Sequence, residues 1–310
     1  MSKVAFIFPG QGAQYVGMGR DFYEQTETGR KVFDQASEIL GFSMPELVFE
    51  PNDRLDITEY TQAAMVTAGI AMMKVLTEQT GIRPDVAAGL SLGEYCALAA
   101  AGVMSEADAI ATVRQRGIFM QQAVPVGIGA MAAVLGLEAA AIEEVLSDME
   151  GVQIANYNCP GQIVISGKKE AVEEAGERLK TVGAKRVIPL NVSGPFHSRM
   201  LLDAGKKLAQ VLEHVEIHKP VIPYVANVTA KYVTDENEVK ELLERQVSSS
   251  VRWQQSIETM LADGVDTFIE IGPGKTLSGF MRKINREVKT LNIEKLEDIE
   301  KIKTLMGNEK

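Results

Sequence analysis

Short apolar runs alternate with longer segments of helical periodicity over the first 122 residues of the chain. Val4–Phe8 and residues 86–88 have the length and composition of buried strands. Helical patterns of apolar residues cover the segments 19–40, 62–79, 94–101 and 106–122. Strands that alternate with helices in this way predict the α/β class, with a parallel sheet covered by helices on both faces.

The predicted elements become shorter and more regular after the Val-Pro-Val-Gly segment at 124–127. In order, they are a strand over 129–135, a helix over 138–149, strands over 152–157 and 162–166, a helix over 168–182 and a strand over 185–190. The order β-α-β-β-α-β predicts a small ferredoxin-like domain over residues 126–192. We expect it to be inserted into a larger α/β-hydrolase-like domain with a parallel-sheet core, formed by residues 1–125 and 193–310.

The rest of the chain returns to the larger domain. A helix is predicted over 198–212, and strands are predicted over 221–227 and 267–271. The last twenty residues are charged and predict a peripheral helix.

The composition is that of a globular protein, with one restriction on its partners. The 310 residues are 45% hydrophobic and 24% charged, and the formal net charge is -10. A chain this acidic is poorly suited to bind nucleic acid or an anionic membrane non-specifically. No apolar stretch approaches the ~20 residues of a membrane span, and the first run is too short for a signal peptide. We therefore expect a cytoplasmic protein, and we expect it to be a monomer.

A candidate nucleophile lies in the segment Gly89-Leu90-Ser91-Leu92-Gly93, between a predicted strand and a predicted helix. This is the context of the G-x-S-x-G elbow, in which a sharp turn presents the serine hydroxyl to a cleft. The N-terminus of the following helix offers unpaired N–H groups to a developing oxyanion. A structural turn rich in small residues is the alternative interpretation.

The serine needs a base, and the chain has only three histidines. His214 and His218 lie among charged residues and are expected on the surface. His197 follows Ser193-Gly194-Pro195-Phe196 and precedes a predicted helix, so a rigid turn would hold its ring. The pattern therefore pairs His197 with Ser91.

No acidic residue between the serine and the histidine follows a strand as the third member of a hydrolase triad would. A backbone carbonyl can orient the imidazole instead, which gives a Ser-His dyad and argues against an ordinary esterase. The oxyanion needs two N–H donors. Leu92 supplies one from its backbone, and the loop Pro9-Gly10-Gln11-Gly12 fits the second.

Two arginines and one glycine-rich turn complete the candidates. Arg114 and Arg116 lie on one helix and point in roughly opposite directions, so we expect one to be solvated; periodicity does not say which. An inward arginine suits a substrate carboxylate, or else a structural salt bridge. Gly272-Pro273-Gly274-Lys275-Thr276 is similar to the end of a P-loop but lacks its first glycine, so we interpret it as a turn into a helix. Cys96 and Cys159 are too few for a metal site.

Taken together, these segments resemble the malonyl-CoA:acyl carrier protein transacylases of fatty-acid synthesis, over nearly the whole chain. The resemblance rests on their order and spacing: Phe8-Pro9-Gly10-Gln11-Gly12, the elbow with Glu94, Arg116-Gly117, residues 156–167, Gly194-Pro195-Phe196-His197-Ser198, Val251-Arg252-Trp253 and Glu270-Ile271-Gly272-Pro273-Gly274.

The resemblance implies a role for each matching residue. Ser91 is the acylated nucleophile, His197 is the general base, and Arg116 binds the malonyl carboxylate. The backbone N–H groups of Gln11 and Leu92 form the oxyanion hole. Two further positions are implied: the Gln246 carbonyl orients the histidine, and the ring of Phe196 excludes a branched acyl group.

The implied reaction is ping-pong transfer from malonyl-CoA, through a serine ester, to the phosphopantetheine thiol of acyl carrier protein. No metal and no bound cofactor is implied, since the partner carries the phosphopantetheine. Leu90 stands where the family often has His, and Gln62-Ala63 stands where a Gln-Pro pair is common. Candidate cations for the anionic partner are Lys185, Arg186, Lys275, Arg282, Lys283 and Arg286.

Two other functions compete with acyl transfer. A serine esterase or thioesterase would release the acyl group to water, and a non-catalytic acyl-CoA-binding protein would form no covalent adduct. Polyketide acyltransferases share the same motifs, so the sequence leaves open which carrier protein is served.

Overall fold

Residues 2–307 are described by the structure, a computed structural model. In this part of the chain the strands are β1 (Val4–Phe8), β2 (Val86–Gly89), β3 (Gly129–Leu135), β4 (Val152–Cys159), β5 (Gln162–Lys168), β6 (Arg186–Pro189), β7 (Tyr224–Val225), β8 (Tyr232–Val233), β9 (Thr267–Ile271) and β10 (Lys289–Ile293). The α-helices are α1 (Arg20–Gln25), α2 (Glu27–Leu40), α3 (Met44–Phe49), α4 (Thr58–Thr80), α5 (Gly93–Ala100), α6 (Glu106–Gln122), α7 (Ala139–Leu146), α8 (Lys169–Thr181), α9 (Leu202–Glu213), α10 (Val239–Gln246), α11 (Trp253–Ala262), α12 (Thr276–Ile284) and α13 (Glu297–Gly307).

The larger sheet has six strands in the order β10-β9-β1-β2-β7-β8. The first five run parallel, and β8 pairs antiparallel to β7 at the edge. All residues of β1, β2 and β9 are buried, as expected for parallel strands covered on both faces. The predicted α/β class with a parallel sheet is confirmed.

This sheet brings three loops together, because the carboxyl ends of parallel strands lie at one edge. Gln11 follows β1, Ser91 follows β2 and Asn227 follows β7, and these three strands are neighbours. Residues more than a hundred positions apart in the chain therefore meet at one side of the sheet.

The smaller sheet has four antiparallel strands in the order β4-β5-β3-β6 and packs its own apolar cluster with α7 and α8. It is joined to the larger part of the molecule by a short parallel bridge. The Tyr157 N–H donates to the Val251 carbonyl at 2.9 Å, and the Val251 N–H donates to the Ala155 carbonyl at 2.8 Å. The segment after α10 is thus hydrogen-bonded to β4.

Several elements differ from their predicted form. The helical pattern over 19–40 is divided at Thr26, whose side chain accepts a hydrogen bond from the Gly29 N–H and begins α2. The predicted strand over 221–227 shortens to two residues, and the helix at 198–212 begins with a 3-10 turn at Arg199–Leu201. Five elements, α3, α10, α11, β8 and β10, were not predicted.

The prediction of a helix at the end of the chain is confirmed by α13, but the predicted extent of this helix and its peripheral position are wrong. Residues 289–293 form β10, which extends the main sheet parallel to β9. Ile299 and Ile302 on α13 are buried in the main core. Charged residues dominate this segment, but apolar residues three apart on α13 are enough to attach it.

The turn similar to a P-loop contains its own anion. Glu270, at the end of β9, accepts hydrogen bonds from the N–H groups of Leu277 and Ser278 at 2.9 and 2.8 Å and from the Ser278 hydroxyl at 2.6 Å. A buried carboxylate thus occupies the N-terminus of α12, where a phosphate would have to bind. Cys96 and Cys159 are buried and unbonded to each other. Within residues 2–307, no helix combines the length and hydropathy needed to cross a membrane.

Replacing Glu270 by Ala should lower the free energy of unfolding by about 3 kcal/mol, because three donors at α12 lose a buried acceptor. The measurement is urea unfolding at neutral pH. Glu287→Ala, in the exposed loop after the same helix, is the control and should change the value by less than about 0.5 kcal/mol. Equal values for the two variants would contradict the capping role.

Candidate active site

Ser91 lies on a tight turn between β2 and α5, where the backbone is crowded on both sides. A Cβ on Gly89 would lie 2.0 Å from the carbonyl carbon of Gly93, and one on Gly93 would lie 2.4 Å from the Phe8 carbonyl oxygen. Both positions therefore require glycine. Ser91 has a φ of 54°, in the left-handed region that residues with a side chain rarely adopt. The surrounding contacts must hold it there.

Two amide side chains hold the backbone of Ser91. The Ser91 N–H donates to Asn227 Oδ1 at 2.7 Å, and Asn227 Nδ2 donates to the Gly89 carbonyl at 2.7 Å. On the other side of the residue, Gln246 Nε2 donates to the Ser91 carbonyl at 2.9 Å. Both polar groups of the Ser91 backbone are therefore fixed by residues from distant parts of the chain.

Ser91 and His197 are in direct contact. Ser91 Oγ lies 2.7 Å from His197 Nε2, and His197 Nδ1 lies 2.9 Å from the carbonyl oxygen of Gln246. A carbonyl only accepts, so Nδ1 carries the proton and Nε2 is left to accept from the serine hydroxyl. Burial, and secondly the positive charge of Arg116, lower the pKa of His197 to about 3. The ring is therefore neutral, as a general base must be before reaction.

The histidine is held by the smaller sheet as well as by Gln246. His197 has a φ of 56°, again in the left-handed region. Gln153, on β4, donates from Nε2 to the His197 carbonyl at 3.1 Å and accepts from the Arg199 N–H at 3.0 Å. Ser198 Oγ donates to the Pro195 carbonyl at 2.6 Å. The loop is thus closed by its own side chains and anchored to β4.

Arg116 is fully buried beside Ser91. Its Nη2 donates to Ser91 Oγ at 3.1 Å and to Gln246 Oε1 at 2.9 Å, and its Nη1 donates to Gln62 Oε1 at 2.6 Å. The Nε–H has no partner within residues 2–307. Helices α6 and α4 approach closely enough to allow this, because a Cβ on Gly117 would lie 2.8 Å from the Glu59 Cα.

Arg114 takes a structural position on the same helix. It pairs with Glu59 at 2.7 Å, and its guanidinium lies 4.2 Å from the centre of the Tyr60 ring. The expectation that one of the two arginines is solvated is wrong, since only 14% of the Arg114 side chain is exposed. Stacking on an aromatic ring accounts for its partial burial.

Glu94 is a buried carboxyl in the site. Its Oε2 accepts from Gln246 Nε2 at 2.7 Å and from the Asn227 N–H at 3.2 Å. Burial raises the pKa of Glu94 to about 7, against the opposing effect of these hydrogen bonds and of Arg116. The carboxyl therefore contacts the two residues that hold the Ser91 backbone.

The two loops assigned to the oxyanion hole pack against each other. A Cβ on Gly10 would lie 2.8 Å from both Cδ2 and the carbonyl oxygen of Leu90. The backbone N–H groups of Gln11 and Leu92 make no hydrogen bond within residues 2–307, so both donors are available. The Gln11 side chain is directed to Thr58, to which its Nε2 donates at 3.2 Å.

The remaining candidates from the sequence are Phe196 and the histidines His214 and His218. Phe196 is buried in the main core close to Gly194, and its part in acyl selection remains a prediction. His214 and His218 are exposed, as expected. No cluster of three or more potential metal ligands occurs within residues 2–307.

Reasoning from the sequence missed four residues that the structure places in the site: Gln62, Glu94, Gln153 and Asn227. Two of them carried a signal. Glu94 is the only charge in the apolar stretch 86–104, and Gln62 is the only amide or charged residue in the largely apolar stretch 61–73. A lone polar group in such a stretch needs a buried partner. Asn227 and Gln153 follow no comparable pattern.

This arrangement is suited to covalent catalysis on an anionic acyl group. A serine hydroxyl contacts a neutral imidazole, which can take its proton as the hydroxyl attacks a carbonyl. A guanidinium is fixed against the same hydroxyl, so a carboxylate near the reacting carbonyl would find a cation in place. Two free backbone donors lie in the adjoining loops.

Comparison with known proteins agrees with this chemistry. The acyl transferase domain family matches residues 5–304. The malonyl CoA-acyl carrier protein transacylase of Bacillus subtilis (strain 168) is 50% identical over 305 residues, which cover 97% of this chain and 96% of that protein.

Solved structures are similar over the same length. The malonyl CoA-acyl carrier protein transacylase from Clostridium perfringens Atcc 13124 has a TM-score of 0.95 and 44% identity, with 99% of this chain and 98% of that chain covered. A malonyl-transacylase solved in complex with its type II PKS acyl-carrier protein has a TM-score of 0.94 and 38% identity, with 99% and 100% covered.

The His197 ring should stay neutral between about pH 5 and 8, because its pKa lies far below the usual value of about 6.5. The ring nitrogens can be followed by NMR during a pH titration. Since the depressed pKa leaves the basic form populated, no protonation step should occur in that range. A step near pH 6.5 would contradict the burial and charge effects described here.

Proposed function

The chain belongs to the acyl transferase domain family, and we propose that it transfers the malonyl group of malonyl-CoA to acyl carrier protein through an ester on Ser91. The enzyme is an acyltransferase, in agreement with its malonyl CoA-acyl carrier protein transacylase relatives. In this proposal it supplies malonyl units for fatty-acid chain elongation.

The first half-reaction forms the malonyl ester. Ser91 Oγ attacks the thioester carbonyl as its proton moves to His197 Nε2, and the Gln246 carbonyl stabilises the imidazolium that forms. The backbone N–H groups of Gln11 and Leu92 bind the oxyanion of the tetrahedral intermediate. When the intermediate collapses, the C–S bond breaks and His197 returns its proton to the thiolate of CoA.

The contact between Arg116 Nη2 and Ser91 Oγ, at 3.1 Å, is the single observation that carries the choice of acyl group. In a malonyl ester one methylene separates the ester carbonyl from the free carboxylate. That carboxylate therefore lies within reach of the guanidinium, which has an unpartnered Nε–H to offer. An acetyl ester has no carboxylate, so it forms no ion pair with Arg116 to offset the free-energy cost of burying the guanidinium.

The second half-reaction repeats the steps in reverse with a different thiol. His197 takes the proton of the phosphopantetheine thiol, the sulfur attacks the serine ester, and Ser91 recovers its proton as the ester C–O bond breaks. Transfer wins over hydrolysis only if the thiol is positioned and water is kept out. Burial of His197 and Arg116 favours such exclusion.

Acyl carrier protein is the proposed partner, and a local cationic surface supports its binding. Lys283 donates to Gln162 Oε1 at 3.1 Å, while Gln162 and Arg186 both pair with Leu135 on the intervening strand. Lys283 and Arg186 therefore lie at one end of the smaller sheet, about two strand spacings apart. The other four candidate cations, Lys185, Lys275, Arg282 and Arg286, are also exposed.

We propose the finer architecture on the strand orders. A central β1 with parallel neighbours and a serine turn after β2 supports a hydrolase-like core over residues 1–125 and 193–310. The order β4-β5-β3-β6 supports a ferredoxin-like insertion over residues 126–192. Action as a monomer, in the cytoplasm and without a cofactor stays a prediction from the sequence.

Mixing the protein with malonyl-CoA should add one malonyl group, detected by intact-protein mass spectrometry. The adduct should be absent in Ser91→Ala and should disappear when holo acyl carrier protein is added, with malonyl recovered on the carrier. Rapid loss of the adduct without carrier protein would favour a thioesterase. No adduct under any condition would favour a non-catalytic binding protein.

Arg116→Ala should reduce malonyl loading about tenfold to a hundredfold more than acetyl loading, because only malonyl loses a charge-assisted hydrogen bond. The measurement is the ratio of kcat/KM for malonyl-CoA and acetyl-CoA. Arg114→Ala, two residues away and paired with Glu59, is the matched control and should leave the ratio unchanged. Equal losses for both substrates in Arg116→Ala would mean that this residue does not bind the carboxylate.

A further inference from the structure

Glu94 is the buried carboxyl at the centre of the site, and no step of the proposed acyl transfer uses it. It lies in the first turn of α5 and is fully buried. One oxygen, Oε2, accepts both hydrogen bonds, from Gln246 Nε2 and from the Asn227 N–H. The other oxygen, Oε1, is buried and has no hydrogen-bond partner within residues 2–307.

Through these two residues Glu94 is connected to every reacting group. Asn227 binds the Ser91 N–H, Gln246 Nε2 binds the Ser91 carbonyl, and the Gln246 carbonyl binds His197. The Gln246 amide also separates the carboxylate from the guanidinium, since its Nε2 faces Glu94 at 2.7 Å and its Oε1 faces Arg116 at 2.9 Å. The Gln246 amide is thus hydrogen-bonded to both buried charges, Glu94 and Arg116.

Arg116 and Glu94 are two buried groups of opposite charge in the site. Arg116 is fully buried, and burial lowers the pKa of its guanidinium, while Tyr95 and then Glu94 oppose this effect. A substrate carboxylate on Arg116 brings a second anion into the same low-dielectric space, where two carboxylates would face one guanidinium. Such like-charge pairs are stabilised when one member takes up a proton.

The titratable and charged groups around Glu94 come from α5, α6, β7 and the loop of His197, and of these groups only Glu94 has a pKa near neutral. Burial raises the pKa of Tyr95, on the same helix, and of Tyr224, on β7. The pKa of His197 lies at about 3, and Arg116 on α6 stays charged. Glu94, whose pKa lies at about 7, is therefore the group able to respond to the substrate charge.

We propose, on the basis of malonyl transfer to Ser91, that Glu94 is a proton-linked counter-charge for Arg116. Above neutral pH it is anionic while the guanidinium is free of substrate, and it takes up a proton from solvent, on Oε1, when the acyl carboxylate binds. The two hydrogen bonds to Oε2 are kept, so Gln246 and Asn227 continue to hold the Ser91 backbone. Glu94 is in this way a positioning residue whose charge adapts to the substrate.

The direction of the pH effect follows from linkage. If malonyl binding raises the affinity of Glu94 for a proton, a proton on Glu94 raises the affinity for malonyl by the same factor. Affinity for malonyl-CoA is then highest below the pKa of the free site, at about 7, and falls as the pH rises above it. Acetyl-CoA brings no carboxylate and should show no such fall.

The first test compares the ratio of kcat/KM for malonyl-CoA over acetyl-CoA between about pH 6.5 and 8.5. In the unaltered protein this ratio should fall about tenfold with rising pH. In Glu94→Gln, which keeps the shape and an oxygen acceptor but cannot be charged, it should change less than about twofold. Glu270→Gln, a buried carboxyl at α12, is the matched control and should follow the unaltered protein. Identical profiles for the unaltered protein and Glu94→Gln would overturn the proposal.

The second test does not depend on the folding of a Glu94 variant. Ser91→Ala binds the substrate without reacting, and calorimetry at pH 7.5 in buffers of different ionisation enthalpy counts protons taken up. Binding of malonyl-CoA should take up more protons than binding of acetyl-CoA, by a fraction of one proton. Acetyl-CoA is the comparison because it carries the same CoA phosphates. Equal uptake for both would overturn the role of Glu94. A failure of malonyl transfer would be recognised separately, by the lack of a malonyl adduct on the unaltered protein.

Discussion

A buried guanidinium is the constraint around which the site is built. Removing a cation from water costs several kcal/mol even after relaxation, and the loss is recovered only by well-placed acceptors. Arg116 has three acceptors, on Gln62, Gln246 and Ser91, with the Glu94 carboxyl behind Gln246. Each comes from a different part of the chain. The fold must therefore bring α4, α5, α6 and the end of α10 together before this charge can be buried.

Ser91 and His197, the proposed nucleophile and base, depend on the same set of contacts. Ser91 and His197 both have positive φ angles, which cost energy and persist only under external support. Asn227 and Gln246 give that support to the serine, and Gln153 and Gln246 give it to the histidine. Gln246 contacts Ser91, His197 and Arg116. Its backbone carbonyl accepts from the imidazole, and its side-chain amide binds the other two residues.

The sequence predicted those parts of the molecule in which a local pattern is tied to a local structure. The strands at 4–8, 129–135 and 267–271 and the helix at 106–122 have their predicted bounds, because each has an unbroken period and clear ends. The short strands β8 and β10 were missed, since two to five residues at a sheet edge have no period to detect. Ser91 and His197 stood out by their turns and by the scarcity of histidine. Asn227 and Gln153 act through pairings across the fold, which no local pattern contains.

The bridge between Val251 and β4 has a consequence for the way the molecule can move. Gln246 lies only five residues before Val251, and His197 is anchored to Gln153 on the same strand. The smaller sheet therefore cannot swing as an independent lobe without separating the imidazole from the serine. A chimera that takes the smaller sheet from a relative would therefore need segment 247–251 from the same relative. Without it, the fold would form, but the distance between Ser91 and His197 would change.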